Sequence, residues 1–221
     1  MQIIFFSNNP HKLQEVRSIL AHFEVQSYRA FLETVEVLEN GASFEENACL
    51  KAQAIYNLLK EKQGDLCVLA DDSGLCVEAL GGMPGIYSAR FAGIKEGAKA
   101  ILQKHFSIPK TDLGDTRNNL KLLTCLQELG IRESQASFVC VVGMCARIRG
   151  QFYQQSFRGE CRGRVIQAPL NPQAFGYDPL FVPQGYHVSM DRLEKNAISH
   201  RFLALQQCRE FLESIFCYNG K

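Results

Sequence analysis

The sequence predicts an α/β fold, a mixed β-sheet flanked by helices, and three observations carry that expectation. Short apolar runs at residues 3–6 and 66–70 alternate with segments of helical periodicity. Two runs rich in Val, Phe and Tyr, at 136–149 and 151–157, meet at Arg149-Gly150 like adjacent strands joined by a turn. A last helical pattern follows at about 199–216, and strands alternating with helices before strands and a closing helix is the layering of such folds.

The elements justify themselves in order. After the apolar run Ile3-Ile4-Phe5-Phe6, Asn9-Pro10 reads as an N-cap followed by proline at the first helical position, with Leu13, Val16, Leu20 and Phe23 at helical spacing. Ser43-Phe44-Glu45-Glu46 has the form of a capping box, in which Glu46 reaches back to the N-cap amide, and Ala48, Ala52, Ile55 and Leu59 continue one face. The continuous run Leu66-Cys67-Val68-Leu69-Ala70 is too short for a helix and predicts a strand buried on both faces, ending abruptly at Asp71-Asp72-Ser73-Gly74. Gly81-Gly82-Met83-Pro84-Gly85 predicts irregular structure. Leu120, Leu122, Leu123, Leu126 and Leu129 predict a helix stopped by Gly130.

Composition narrows the function classes. In 221 residues, 46% apolar content fills a sizeable core, and no linker, repeat or low-complexity tract marks a boundary, so residues 1–221 are expected to form one unit. Lys and Arg number 24 against 23 Asp and Glu, which leaves no basic stripe for nucleic acid and no field to hold an anionic membrane. Phosphate recognition, if present, must be local. No stretch approaches the roughly 20 apolar residues of a membrane span, and the first residues lack the basic flank of an export signal. Nine cysteines, an odd number without any C-x-x-C pair, fit reduced core thiols; the expectation is a cytoplasmic chain with no structural metal.

Five segments carry residues that chemistry could use, each with an ordinary alternative. Ser7-Asn8-Asn9-Pro10-His11-Lys12 is a polar turn at a helix N-terminus, where free amides and the dipole favour an anion; Lys12 opposes that dipole, so either a ligand or plain solvation accounts for it. Asp71-Asp72 places adjacent carboxylates at the end of a buried strand, a costly arrangement unless a cation such as magnesium or a proton compensates; an Asx turn is the alternative. Glu39 has no local duty and is either a ligand or simply a solvated loop charge, whereas Glu46 is fully employed by its capping box, although a share in the metal site would add to that. Phe175-Gly176-Tyr177-Asp178-Pro179 could stack on a planar ligand and bond its sugar, or simply join the core. Lys195, His200 and Arg201 gather donors at the start of the last helix, a setting for a carbonyl-rich or anionic ligand.

In this order the segments resemble the inosine triphosphate pyrophosphatase family, almost end to end. The motifs are Ser7-x-Asn9-x-x-Lys12-x-x-Glu15, Ser43-Phe44-Glu45-Glu46-Asn47-Ala48 with Lys51-Ala52, Ala70-Asp71-Asp72-Ser73-Gly74-Leu75, Leu80-Gly81-Gly82-Met83-Pro84-Gly85-Ile86-Tyr87-Ser88-Ala89-Arg90, the 175–179 segment, and Ser199-His200-Arg201. The resemblance implies an elongated mixed sheet in two lobes with the active site in the cleft between them, a magnesium requirement, a homodimer and a purine nucleoside triphosphate substrate. It implies hydrolysis of ITP, dITP and XTP to monophosphate and pyrophosphate. It further implies that Ser7 to Lys12 and Lys51 hold phosphates, that Glu39 and Asp72 hold magnesium, and that Asp72 accepts the proton of the attacking water. Ser73 would touch substrate, Phe175 would stack on the base, and Gly176, Tyr177, Asp178, Lys195, His200 and Arg201 would complete the base and sugar pocket, with Asp71 and Arg90 close by. Residues 169–174 depart from the family's glycine-rich approach to Phe175, which bears on base selectivity. A related pyrophosphatase acting on other modified nucleotides and a non-catalytic nucleotide-binding regulator are the alternatives.

Overall fold

The computed structural model describes residues 2–168, 171, 173–194 and 198–217. Six strands, β1 (Gln2–Phe6), β2 (Glu24–Ser27), β3 (Leu66–Val77), β4 (Glu133–Ile148), β5 (Gln151–Ile166) and β6 (Phe181–Pro183), form one sheet in the order β2-β1-β3-β4-β5-β6. Five helices accompany it: α1 (Pro10–Ile19), α2 (Phe44–Leu59), α3 (Ala98–Leu102), α4 (Asp115–Glu128) and α5 (His200–Cys217). The sheet is mixed. Strand β1 runs parallel to both β2 and β3, with Ile3 opposite Val25 and Cys67, while β5 and β6 are antiparallel with Gly163 opposite Pro183.

The chain forms two compact units, and neither is contiguous. One comprises residues 1–72, 140–159 and 200–221; the other comprises 73–139 and 160–199. Strands β3, β4 and β5 each pass from one unit to the other, so the chain changes unit inside regular structure and no linker composition appears in the sequence.

In the first unit the sheet is covered on both faces. Odd-numbered Ile3, Phe5, Cys67 and Leu69 pack with Val16 and Leu20 of the α1 segment and with Ala204, Leu205, Cys208 and Leu212 of α5. Even-numbered Ile4, Phe6, Val68 and Ala70 pack with Ala52, Ile55, Tyr56 and Leu59 of α2. Strand period two makes this sorting automatic. The start of α5 comes so close to β5 at Gly159 that a β-carbon there would lie 2.1 Å from the His200 carbonyl oxygen. The second unit buries Leu75, Val77, Phe91, Leu122, Leu126, Phe138, Tyr177, Leu180 and Phe181 in its own core.

Several sequence expectations require correction. The first helix stops at Ile19, with Leu20 as its cap and Phe23 beyond it, so apolar spacing outruns the helix. Strands β2 and β6 and helix α3 are three to five residues long, too short for periodicity to register. The main correction concerns β3. It does not end at Asp71 but continues through Asp71, Asp72, Ser73 and Gly74 to Val77, because each carboxylate finds a cation and no turn is needed to bring it to water.

Gly74 shows how tightly this continuation is packed. A β-carbon there would sit 2.3 Å from the Gly85 carbonyl oxygen and 2.4 Å from Ser88 Oγ, and Ser88 Oγ is itself committed, accepting from the Leu75 amide at 2.9 Å and donating to Gly85 at 2.7 Å. Gly74→Ala is therefore expected to destabilise the protein by about 1–3 kcal/mol, the usual cost of overpacking. Urea denaturation checks it; an unchanged midpoint would show that the 85–88 turn yields freely.

Candidate functional site

Because side chains alternate along a strand, the adjacent residues Asp71 and Asp72 point to opposite faces of β3 and meet different partners. Asp71, 3% exposed, lies on the α1 and α5 face. Its Oδ2 accepts from Lys12 Nζ at 2.9 Å and from Arg201 Nε and Nη2 at 3.3 and 3.2 Å, while the Cys140 thiol approaches at 3.9 Å. Arg201 also donates to Glu15 of α1. Burial by itself would raise the Asp71 pKa most, but Lys12, Arg201 and Lys51 reverse it and hold the carboxyl well below the usual range. Arg201 loses by burial yet is held above its usual value, chiefly by Asp71. Lys12, Arg201, Asp71 and Glu15 thus form a charge-balanced quartet.

Asp72, 7% exposed, lies on the α2 face. Lys51 Nζ donates to Asp72 Oδ1 at 3.0 Å and to Glu39 Oε1 at 3.1 Å, and Asn47 Nδ2 donates to Asp72 Oδ2 at 3.3 Å. Among the described residues Lys51 bridges these two carboxylates, and the three groups together carry one negative charge. Burial and the nearby Glu39 push the Asp72 pKa up despite the pull of Lys51. For Lys51 burial works downward, and Asp72, Glu39 and Asp71 outweigh it, so the ammonium stays charged.

The N-termini of α1 and α2 add further polar groups to this unit. Asn9 caps α1 as expected, its Oδ1 accepting from the His11 and Lys12 amides at 2.9 and 3.4 Å, and Ser7 Oγ accepts from the Asn9 amide at 3.1 Å. Asn8 Oδ1 is engaged by Tyr28 Oη at 2.6 Å and Arg29 Nη2 at 3.0 Å. Pro10 and His11 are exposed. Lys12 breaks the helix-dipole rule because an internal carboxylate, Asp71, is its counter-ion. At α2 the Ser43 side chain caps the Glu46 amide at 3.1 Å, but Glu46 Oε2 accepts from the Ala42 amide at 2.6 Å and not from the N-cap amide. The chain bends before Ser43, which brings the preceding amide into reach. Since Gln keeps an acceptor there, Glu46→Gln should leave the melting temperature unchanged, whereas Glu46→Ala should cost about 1 kcal/mol, both read by thermal unfolding.

In the second unit, Ser73, Arg90, Phe175 and Gly176 are half-buried. Tyr177 is buried in the core and its Oη donates to the Ser88 carbonyl at 2.8 Å; Asp178 is buried at the start of a short 3₁₀ turn. Lys195, and Pro169, Leu170 and Pro172 of the atypical approach to Phe175, lie outside the described residues. His200 is half-buried at the head of α5, and Arg201 beside it is 3% exposed and committed to carboxylates of the first unit. The residues collected by sequence therefore separate: Lys12, Asp71 and Arg201 form one cluster, Glu39, Lys51 and Asp72 a second, and the 175–178 loop belongs to the other unit.

Sequence reasoning assigned no role to Glu15 or Asn47, nor to Asp115, Asn118 and Asn119 of α4. Asn118 accepts from the Ala92 amide at 2.8 Å and donates to the Ala89 carbonyl at 3.0 Å, and Asn119 and Asp115 bind Gly176. The signal was available: two adjacent asparagines, poor helix formers, precede the leucines of this helix, and in the structure both are buried and need partners.

Among the described residues no group of three or more His, Cys, Asp or Glu is arranged around a metal position. Glu39 and Asp72 nonetheless fit a hard divalent cation, since both are oxygen donors, both converge on the Lys51 ammonium, and together they exceed its charge. Magnesium commonly takes one or two carboxylates and completes its shell with water and phosphate oxygens, so two carboxylates suffice.

A parallel-and-antiparallel sheet flanked by helices, with lysines and carboxylates paired at one strand, defines an α/β protein. The chain belongs to the Ham1 family, whose model matches residues 3–211. It is 39% identical over 217 residues to a Campylobacter jejuni protein named dITP/XTP pyrophosphatase, covering 96% of this chain and 98% of that one, and 36% identical over 218 residues to the protein of the same name from Nautilia profundicola, covering 97% and 99%. Among solved structures it resembles the Staphylococcus aureus Ham1 protein, with TM-score 0.75, 33% identity and coverage of 97% of this chain and 99% of that chain. The HAM1 protein of Coxiella burnetii gives TM-score 0.74 at 29% identity, covering 97% and 99%. Among the described residues no helix is long and apolar enough to cross a membrane.

Proposed function

We propose that this protein hydrolyses non-standard purine nucleoside triphosphates, ITP, dITP and XTP, to the monophosphate and pyrophosphate, with magnesium as cofactor. The observation that carries the reading is Lys51, held 3.0 Å from Asp72 and 3.1 Å from Glu39 in a cluster with one surplus negative charge. Family membership and relatives named dITP/XTP pyrophosphatase support it.

In this reading Glu39 and Asp72 hold magnesium, which when bound neutralises charge developing on the departing pyrophosphate. The turn from Ser7 to Lys12, together with Lys51, holds the phosphates, Lys12 and Lys51 supplying the cationic groups, and Glu46 takes a share in the magnesium site. Asp72 accepts a proton from water as its oxygen attacks the α-phosphorus and the bond to the β-phosphate oxygen breaks; a carboxylate whose pKa is raised by burial is the better acceptor. Ser73 touches the substrate, and Phe175 stacks on the base with Gly176, Tyr177 and Asp178 around the sugar, Arg90 close by, and Lys195 and His200 completing the donors. Arg201, occupied by Asp71 and Glu15, serves by holding the first cluster together. The enzyme acts as a homodimer in the cytoplasm.

Base choice follows from hydrogen bonding. Hypoxanthine and xanthine present a carbonyl at C6 and adenine an amino group, so a donor such as Lys195 pairs with the first two and opposes the third. A site built on such pairing discriminates by about 10⁴ or more. The test measures pyrophosphate release from ITP, XTP and ATP in the wild-type protein and in Lys195→Ala. ITP and XTP should be strongly preferred, and the variant should lose far more with ITP than with ATP. Equal losses would place Lys195 with the phosphate-binding lysines, and no release from any purine triphosphate would overturn the functional reading.

A further inference from the structure

The 175–178 loop owes its geometry to α4. Gly176 stands at φ +57, a conformation that other side chains adopt at a cost, and both of its backbone polar groups are taken by one face of one helix. Its amide donates to Asp115 Oδ2 at 2.7 Å, and its carbonyl accepts from Asn119 Nδ2 at 2.9 Å. Asp115 and Asn119 are four residues apart, one helical turn, so the helix presents an acceptor and a donor at the spacing of a single peptide's N–H and C=O.

Asn119 bears the mark of a residue kept for this contact. It is 2% exposed, and its Oδ1 is buried without a hydrogen-bond partner among the described residues. A leucine would suit the core packing of α4 better, since a buried acceptor left unpaired is a standing cost. The amide end alone repays it. Asn118, next in the helix and rotated by about 100°, clamps the 89–92 segment in the same manner, and the loop's far side is tied by Tyr177 Oη to the Ser88 carbonyl. The three contacts fix the loop from two directions without using Phe175.

We propose that Asn119, with Asp115 one turn before it, is the positioning residue of the 175–178 loop, so that α4 sets how that loop meets the substrate's base. The inference rests on the functional reading above, in which Phe175 stacks on the base.

The test measures kcat and KM for ITP, calorimetric binding of inosine monophosphate and of pyrophosphate, and thermal unfolding. Asn119→Ala should raise KM and weaken inosine monophosphate binding about tenfold, the worth of one well-placed hydrogen bond, while kcat changes less than about threefold and pyrophosphate binding stays as in the wild type. Asp115→Ala, at an exposed position and so safe for folding, should shift the same two quantities several-fold. Asp115→Asn keeps an acceptor for the Gly176 amide and should restore them. Equal weakening of inosine monophosphate and pyrophosphate, or no change in either in both alanine variants, would overturn the positioning role. If Asn119→Ala does not fold, Asp115→Ala and its Asn counterpart decide alone. A wild-type protein that binds no inosine monophosphate strikes the functional reading instead, which keeps the two failures distinguishable.

Discussion

Asp72→Asn is expected to lower ITP turnover by at least about 10³-fold while leaving the fold intact. The Lys51, Glu39 and Asp72 cluster carries one positive and two negative charges, and the substitution removes the surplus. What remains is the balanced Lys51–Glu39 pair, so Lys51 keeps a partner and no buried charge is stranded. The amide keeps the carboxylate's shape and an acceptor for Lys51, but it neither attracts a divalent cation nor takes a proton from water. Steady-state pyrophosphate release across a magnesium titration, with thermal unfolding alongside, checks both halves. Substantial activity in Asp72→Asn would remove Asp72 from the chemistry.

Arg201→Met is expected to act in the opposite way, on stability first. Arg201 is 3% exposed and divides its guanidinium between Asp71 and Glu15. Without it the buried Asp71 retains Lys12 but loses its second cation, and breaking a buried pair by removing one partner costs about 3–5 kcal/mol. For a chain of this size that is a fall of roughly 10 °C in melting temperature. A base-contacting arginine would behave differently: ITP hydrolysis would drop with the melting temperature unchanged. The two readings therefore separate in one variant, and a stable but inactive Arg201→Met would return Arg201 to the base pocket.

The parts of the fold legible in the sequence were those written by local rules. Asn9-Pro10, the Ser43 cap, the Arg149-Gly150 turn and the Gly130 stop each act within a few residues, and each appears where expected, although the glutamate half of the Ser43 box reaches Ala42 and not the N-cap amide. The charge pattern at Asp71-Asp72 was legible as costly, but its resolution was not. Relief comes from Lys12, Lys51 and Arg201, which are 59, 21 and 130 positions from the carboxylates they meet, and nothing local distinguishes a carboxylate awaiting a distant cation from one in a turn. The same distance hid the work of Asn119, whose partner Gly176 is 57 positions along the chain. Resemblance supplied the site residues as a set; only coordinates divided that set into two clusters and a loop, and showed Arg201 facing carboxylates.

The order in which the chain emerges during synthesis gives the quartet around Asp71 a temporal meaning. Lys12, Glu15 and Asp71 are made early, but Arg201 stands at the head of α5, which follows every other described element. Until α5 leaves the ribosome, one face of β1, β3 and β4 lacks its cover of Ala204, Leu205, Cys208 and Leu212, and Asp71 lacks the guanidinium of Arg201. A nascent chain halted before residue 200 would therefore hold an apolar sheet face open to chaperones and proteases, however well its earlier helices had formed. Release of α5 closes that face and completes the charge balance in one event, which ties the appearance of a stable protein to translation of its last described helix.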